Sequence, residues 1–267
     1  MRQVAYFGSI ILFSFLLFAC EEVIDVNLNE SASRLVIEAQ LSDLSSMQRI
    51  RISKTVAFTS EISSQPVEDA VVGVLDENGQ MFSFHYNENG NYINNDFLPI
   101  SGRTYALHVE VEGVKYEASS FMPNYIEVDS IGVIEERIFD EPYYFATFKF
   151  NDVKGQRDYY KYDISVNQSE YRFASVFSDK FNDGLFVTHQ VADSDRDLIP
   201  GDTITIRRYC VDPAVFKYWN ELQSTNPGTA APGNPTSNIT NNALGYFSVA
   251  SGREYGLRVS DFQEANE

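Results

Sequence analysis

The sequence predicts a mainly β protein, and three observations predict it. Short runs alternate apolar and polar residues with a period of two, as half-buried strands do. Turn signals built from Gly, Asn, Asp and Pro separate those runs at the spacing expected of a β-sandwich. The chain also carries 16 Tyr and 20 Phe in its 267 residues, and aromatic side chains suit a pleated, half-covered surface. The expected organisation is a leader over residues 1–19 and an acidic tether over 20–32. A β-sandwich over 33–122 then precedes a second β-rich domain over 123–267 with one short helix.

The first element is not a strand. Val4 to Ala19 is apolar apart from Gly8, Ser9 and Ser14, and Arg2 precedes it. That is the shape of a signal peptide, and the run is too short to cross a bilayer comfortably. Leu17-Phe18-Ala19-Cys20 resembles the lipobox of bacterial lipoproteins, in which the Cys thiol is acylated and becomes the mature N-terminus. Cys20 is therefore the expected lipid attachment site, and more than one acyl chain holds a protein firmly to a membrane. Glu21 and Glu22 follow directly. They read either as a solvated tether or, by resemblance to surface-export signals of such lipoproteins, as the start of an address to the cell exterior.

Strands begin at "RLVIEAQL", where Leu35, Ile37, Ala39 and Leu41 alternate with Val36, Glu38 and Gln40. Ile50 and Ile52 share one side of the next run. Glu77-Asn78-Gly79 is a tight-turn signal within a hairpin, because Asn-Gly accepts positive φ. A second turn lies around Gly90. Tyr105, Leu107, Val109 and Val111 then face one way, and Glu112-Gly113 reverses the chain.

Pro123-Asn124 breaks the pattern and opens the second domain. Tyr144, Ala146, Phe148 and Phe150 form one strand face, and Tyr160, Tyr162, Ile164 and Val166 another. A helix is expected near 213–224. Asp212 caps it, Pro213 fits its first turn, and Val215, Trp219 and Leu222 recur at helical spacing. Tyr218 and Trp219 are candidates for partner contact, since Tyr and Trp dominate interface energetics, although the spacing of Trp219 also suits a core anchor. A Pro- and Asn-rich loop is expected over 225–245, and two strand-like pieces, "GYFSVA" and "EYGLRVSDF", close the pattern.

The formal net charge of −18 opposes binding to nucleic acid and to anionic lipid heads, so nucleic acid is excluded as a partner. With Cys20 acylated, Cys210 has no partner for a disulfide and reads as a small buried hydrophobe. His85, His108 and His189 are unpaired in sequence, and neither a zinc signature nor a nucleophile elbow occurs, so no catalytic residue, transition metal or cofactor is expected. Asp193, Asp195 and Asp197 have the spacing of half a calcium loop, but Leu198 and Ile204 stand where Gly and Glu would complete it. An ordinary acidic turn is the competing reading. Asp129-Ser130-Ile131 and Asp202-Thr203-Ile204 resemble O-glycosylation acceptors, with Ser130 and Thr203 as the modified residues.

Taken together, Cys20-Glu-Glu-Val-Ile-Asp-Val, "RLVIEAQLSD", "PVEDAVVGVLDENG", "GRTYALHVEVEGVKYEASSFMP" and "NPTSNITNNALGYFSVAS" resemble the bacterial lipoprotein family catalogued as domain of unknown function 4249. The first domain is also similar to the immunoglobulin-like or transthyretin-like sandwiches of surface proteins. The resemblance implies a non-enzymatic accessory lipoprotein of the outer membrane, facing the exterior or the periplasm and working beside a TonB-dependent receptor. A carboxylate-based surface hydrolase of polysaccharide or peptide, or a structural adhesion module, are the alternatives.

Overall fold

The computed structural model describes residues 33–57, 60–224 and 233–260. Cys20, Glu21, Glu22 and the tether lie outside the described residues, as do positions 225–232 of the expected loop. Fifteen strands and one helix are found among the described residues. In chain order the strands of the first half are β1 (Leu35–Ser42), β2 (Gln48–Lys54), β3 (Gln65–Pro66), β4 (Val71–Leu75), β5 (Met81–Glu88), β6 (Asn91–Asn94), β7 (Thr104–Val111) and β8 (Val114–Phe121). There follow β9 (Ser130–Ile138), β10 (Glu141–Asn151), β11 (Tyr159–Val166), β12 (Arg172–Ser178), β13 (Phe186–Val191), β14 (Thr203–Cys210), α1 (Pro213–Ser224) and β15 (Leu244–Arg258). The described residues are mainly β with one short helix.

Twelve strands form one hydrogen-bonded path, ordered β12-β11-β14-β15-β1-β2-β6-β5-β4-β7-β8 with β3 beside β2, and β13-β10-β9 form a second sheet. The long sheet curls until β8 returns to β15, where Val249 N–H donates to Ser120 Oγ at 3.0 Å. Inside that curl lies the first core, with Ile37, Ala39 and Leu41 from β1, Ile50 and Ile52 from β2, and Leu107 and Val109 from β7. The period-two faces expected from the sequence are those that are buried. The hairpin at Glu77-Asn78-Gly79 also forms, with Gly79 at φ 84° and Asp76 Oδ1 accepting the N–H groups of Asn78 and Gln80, each at 2.9 Å.

The second core lies between the β12-β11-β14-β15 end of the long sheet and the three-stranded sheet. Phe148, Phe150, Tyr160, Tyr162, Ile164 and Ile206 fill it, and Cys210 is buried there as a free thiol. Arg208 crosses this core with no solvent exposure. Its Nε donates to Tyr162 Oη at 3.0 Å and its Nη1 to the Ile126 carbonyl at 2.6 Å. The Tyr162 hydroxyl also meets His189 Nδ1 at 2.9 Å, a hydrogen bond that a neutral imidazole makes as acceptor or donor according to its tautomer.

That network makes a pH dependence. Burial first, and the Arg208 charge second, hold His189 down at about 3, against an ordinary 6.5. The unfolded chain binds a proton below about pH 6.5 and the folded one does not, so this contribution to stability is lost as pH falls from about 6.5 towards 3. Between pH 7 and pH 5 it amounts to about 2 kcal/mol. Urea melts of wild type and His189→Gln check it. Wild type should lose about 2 kcal/mol more than the variant over that interval, and equal losses would remove His189 from the account.

Two expectations are corrected here. The piece "GYFSVA" and the Glu254–Arg258 part of "EYGLRVSDF" belong to one fifteen-residue strand, β15. Its first half pairs in parallel with β1 and its second half pairs antiparallel with β14. Gly252 is no chain reversal. A Cβ there would stand 2.8 Å from Leu44 Cδ1 and 2.9 Å from Tyr209 Cδ1, so glycine serves close approach. Secondly, residues after 123 do not all join the second core, because Ile239, Ala243, Phe247 and Val249 return to the first. Gly245 permits that return. It has φ +87°, and a Cβ would lie 2.0 Å from the Ile37 carbonyl oxygen.

Candidate functional site

Because β15 joins the β14 end of the sheet to β1, side chains from both parts share the face opposite the cores. Register fixes which ones. Lys161 lies opposite Tyr209 and Asp163 opposite Arg207 across β11 and β14, while Glu38 lies opposite Tyr246 on β15 and Arg51 on β2. These residues, with Arg49, Arg172, Phe173 and Trp219, line a cleft of about 620 Å³.

At its base is a buried polar network. Lys161, 2% exposed, donates to Asp163 Oδ1 and, at 3.0 Å, to Gln40 Oε1. Gln40 Nε2 donates to Asp163 Oδ2 at 3.2 Å, and Tyr246 O–H donates to Gln40 Oε1 at 3.1 Å. The ammonium also stands over three rings, at 4.6 Å from Trp219, 5.4 Å from Tyr209 and 5.9 Å from Phe173. Burial pulls Lys161 below the usual lysine range against the opposing attraction of Asp163. Burial likewise raises Tyr209 and Tyr246, so both stay protonated donors at neutral pH. A network of this kind is rigid because each member fixes the next.

The rim is rich in guanidinium groups. Arg51 pairs with Glu38 at 3.0 Å, Arg207 pairs with Glu254 at 2.8 Å and lies 3.8 Å from the Tyr171 ring centroid, and Arg172 pairs with Asp193. Arg49 is exposed and forms no ion pair among the described residues. Five cations therefore line this cleft against two lining carboxylates, Glu38 and Asp163, on a chain of net charge −18. Guanidinium forks recognise carboxylates and other acceptor-rich groups.

The helix supplies one wall. Asp212 Oδ1 accepts the N–H groups of Ala214 and Val215, each at 2.9 Å, so it caps α1 as its sequence predicts. Trp219 stacks on Phe173 with centroids 4.5 Å apart, and Tyr218 packs against Tyr246 at 4.9 Å. Both candidate contact residues are half-buried. Leu222, expected on the inner line with Val215 and Trp219, is instead exposed, and Phe216 packs on Tyr159 at 4.9 Å. The inner stripe is offset because the helix lies over aromatic side chains of β11, β12 and β15.

The remaining sequence candidates do not meet. Asp193 is buried against Arg172, and Asp195 and Asp197 are exposed. Asp195 N–H donates to Asp193 Oδ1 at 3.0 Å, the geometry of an acidic turn. The three carboxylates do not converge within metal-binding distance of one another, and the guanidinium occupies the place a cation would take. Ser130 and Thr203 are exposed, at the starts of β9 and β14. His85 and His108 lie on surface strands, far in role from the buried His189. Sequence reading missed Lys161, Asp163, Gln40 and the arginines. The alternation that placed Tyr160 and Tyr162 inward also sets Lys161 and Asp163 on one opposite face, which is the signal that marks them.

No curated protein matches this chain. A family model described as a domain of unknown function (DUF4249) matches residues 21–255, most of its length, and the chain belongs to that family.

Proposed function

We propose that the protein is a lipid-anchored, non-enzymatic accessory of the outer membrane that captures a polar ligand in the cleft for a TonB-dependent receptor. The observation that carries this reading is the cleft itself, a rigid aromatic base under a guanidinium rim, on a chain whose leader resembles a lipobox. Its guanidinium rim, with Arg49 in no ion pair among the described residues, favours an acceptor-rich solute, such as a carboxylated or hydroxyl-rich sugar or peptide. The cleft carboxylates argue against the hydrolase alternative. Glu38 is paired with Arg51 and Asp163 with Lys161, whereas glycoside hydrolysis needs one carboxyl protonated and one free. Intact mass of the protein from its native membranes tests the anchor. The expected mass is that of a chain starting at an acylated Cys20, and Cys20→Ala should leave the membrane fraction. A wild-type chain without acyl mass would contradict the anchor.

A further inference from the structure

Of the five cations that line the cleft, four already have a carboxylate. Arg51 holds Glu38, Lys161 holds Asp163, Arg172 holds Asp193 and Arg207 holds Glu254. Arg51 also donates from Nη2 to Ser64 Oγ at 2.9 Å, so its fork is occupied on both sides. The Arg49 side chain has neither an ion pair nor a hydrogen bond among the described residues.

The register explains why Arg49 is left over. It points away from the first core, because Ile50 and Ile52 on the same strand point in. It lies opposite Ile93 on β6 and, one step beyond the Ala39–Ile50 pair, comes level with Gln40 on β1. Neither neighbour is acidic, and the Gln40 amide is engaged with Lys161, Asp163 and Tyr246. The β2 side of the cleft therefore holds a positive charge without its own countercharge.

The floor also limits how a ligand can be held. β11, β14, β15, β1 and β2 each have a hydrogen-bonded strand on both sides. The terminal strand, β12, is covered by α1, whose Gln223 Oε1 accepts the Val176 N–H at 3.1 Å. An extended peptide that adds to a sheet needs an open edge for its main chain, and among the described residues none faces this cleft. Recognition there falls to side-chain donors and aromatic surface, as in sites for small polar solutes.

We propose that the ligand is an acidic oligosaccharide, with a sugar carboxylate held by Arg49 and the rings crossing the strands from β2 towards Trp219 on α1. The proposal rests on the capture reading above and narrows its ligand. A guanidinium fork takes a carboxylate through two parallel N–H···O bonds, with a charge that a sugar hydroxyl lacks. Three strand spacings, roughly 14 Å, separate β2 from β14, which suits a short oligomer better than a single sugar.

The test is calorimetric titration of the protein, purified from its own membranes in mild detergent, with three probes. These are a short oligogalacturonate, the same oligomer with its carboxyls reduced to primary alcohols, and an acidic peptide of equal charge. Saturable binding of the oligogalacturonate is expected, weakened about tenfold or more by reducing its carboxyls and by Arg49→Gln alike. Arg49→Gln should bind the reduced oligomer as wild type does, because both changes remove one interaction. Arg49→Lys keeps the charge without the fork and should recover part of the affinity. Arg49 is exposed, and both variants should melt at the wild-type temperature. The inference is overturned if the reduced oligomer or the acidic peptide binds as tightly as the oligogalacturonate, if Arg49→Gln binds the acidic oligomer as wild type does, or if no saturable binding occurs up to about 10 mM. A protein that binds the oligogalacturonate as expected but recovers no receptor keeps this inference and loses the transporter reading. One that recovers the receptor yet binds the reduced oligomer equally well loses this inference alone.

Discussion

Lys161→Ala is expected to lower the stability of the protein by about 3–5 kcal/mol, the cost of leaving one member of a buried ion pair without its partner. For a chain of this size that is a fall in melting temperature of about 6–20 °C. The reason is local. Asp163 would keep only the Gln40 amide at 3.2 Å, and the faces of Trp219, Tyr209 and Phe173 would lose the ammonium they surround. Lys161→Met separates charge from volume and should cost nearly as much, because the unpaired carboxylate remains. Lys161→Met combined with Asp163→Leu should recover most of the loss, since an apolar pair of similar size often replaces a buried ion pair at little cost. Thermal melts of the three variants decide it, and an unchanged melting temperature for Lys161→Met would show that the pair does not stabilise the cleft.

Arg208→Ala should be as damaging, at about 3–5 kcal/mol, by a different route. Here no carboxylate lies opposite the charge. The guanidinium is enclosed by the rings of Phe150 at 4.5 Å, Tyr160 at 4.6 Å and Tyr125 at 5.0 Å, and its Nη2 has no hydrogen-bond partner. Removing it opens a cavity, takes the guanidinium donor from the Ile126 carbonyl and leaves the Tyr162 hydroxyl only its bond to His189. Arg208→Met refills most of the volume without restoring the donors, so it should recover part of the stability. Arg208→Lys keeps a charge but not the planar fork that reaches two acceptors at once, and should recover less. Since the Arg208 charge helps hold His189 neutral, Arg208→Met should also raise the His189 pKa. NMR titration of that imidazole reports it, and an unmoved His189 would contradict the coupling.

The β class and its inward faces were legible because period two is written directly in residues such as Ile37, Ala39 and Leu41, or Tyr160 and Tyr162. The cap at Asp212 was legible for the same reason, being a local rule. The cleft was not. It depends on β15 passing from β14 to β1 in parallel, and nothing in the alternation of "GYFSVA" tells which strand it will join. Lys161 and Asp163 lie on the face away from Tyr160 and Tyr162, and it is the packing of α1 against β11 and β12, distant in sequence, that helps bury them. A boundary after Met122 could not foresee that residues near Phe247 return to the first core. Trp219, one of the two candidates for partner contact, lines the cleft, and its stacking partner Phe173 belongs to a distant segment.

Recovery of the protein from its own membranes in mild detergent, with mass spectrometry of what accompanies it, tests the central claim most directly. A Cys20→Ala form and an Arg49→Glu, Trp219→Ala form belong alongside. The account predicts that a TonB-dependent receptor co-purifies with the acylated wild type, that Cys20→Ala loses it, and that the cleft variant keeps the receptor but fails to support uptake. A wild-type protein that is lipid-anchored yet comes down alone, or a cleft variant that supports uptake as well as wild type, would contradict it.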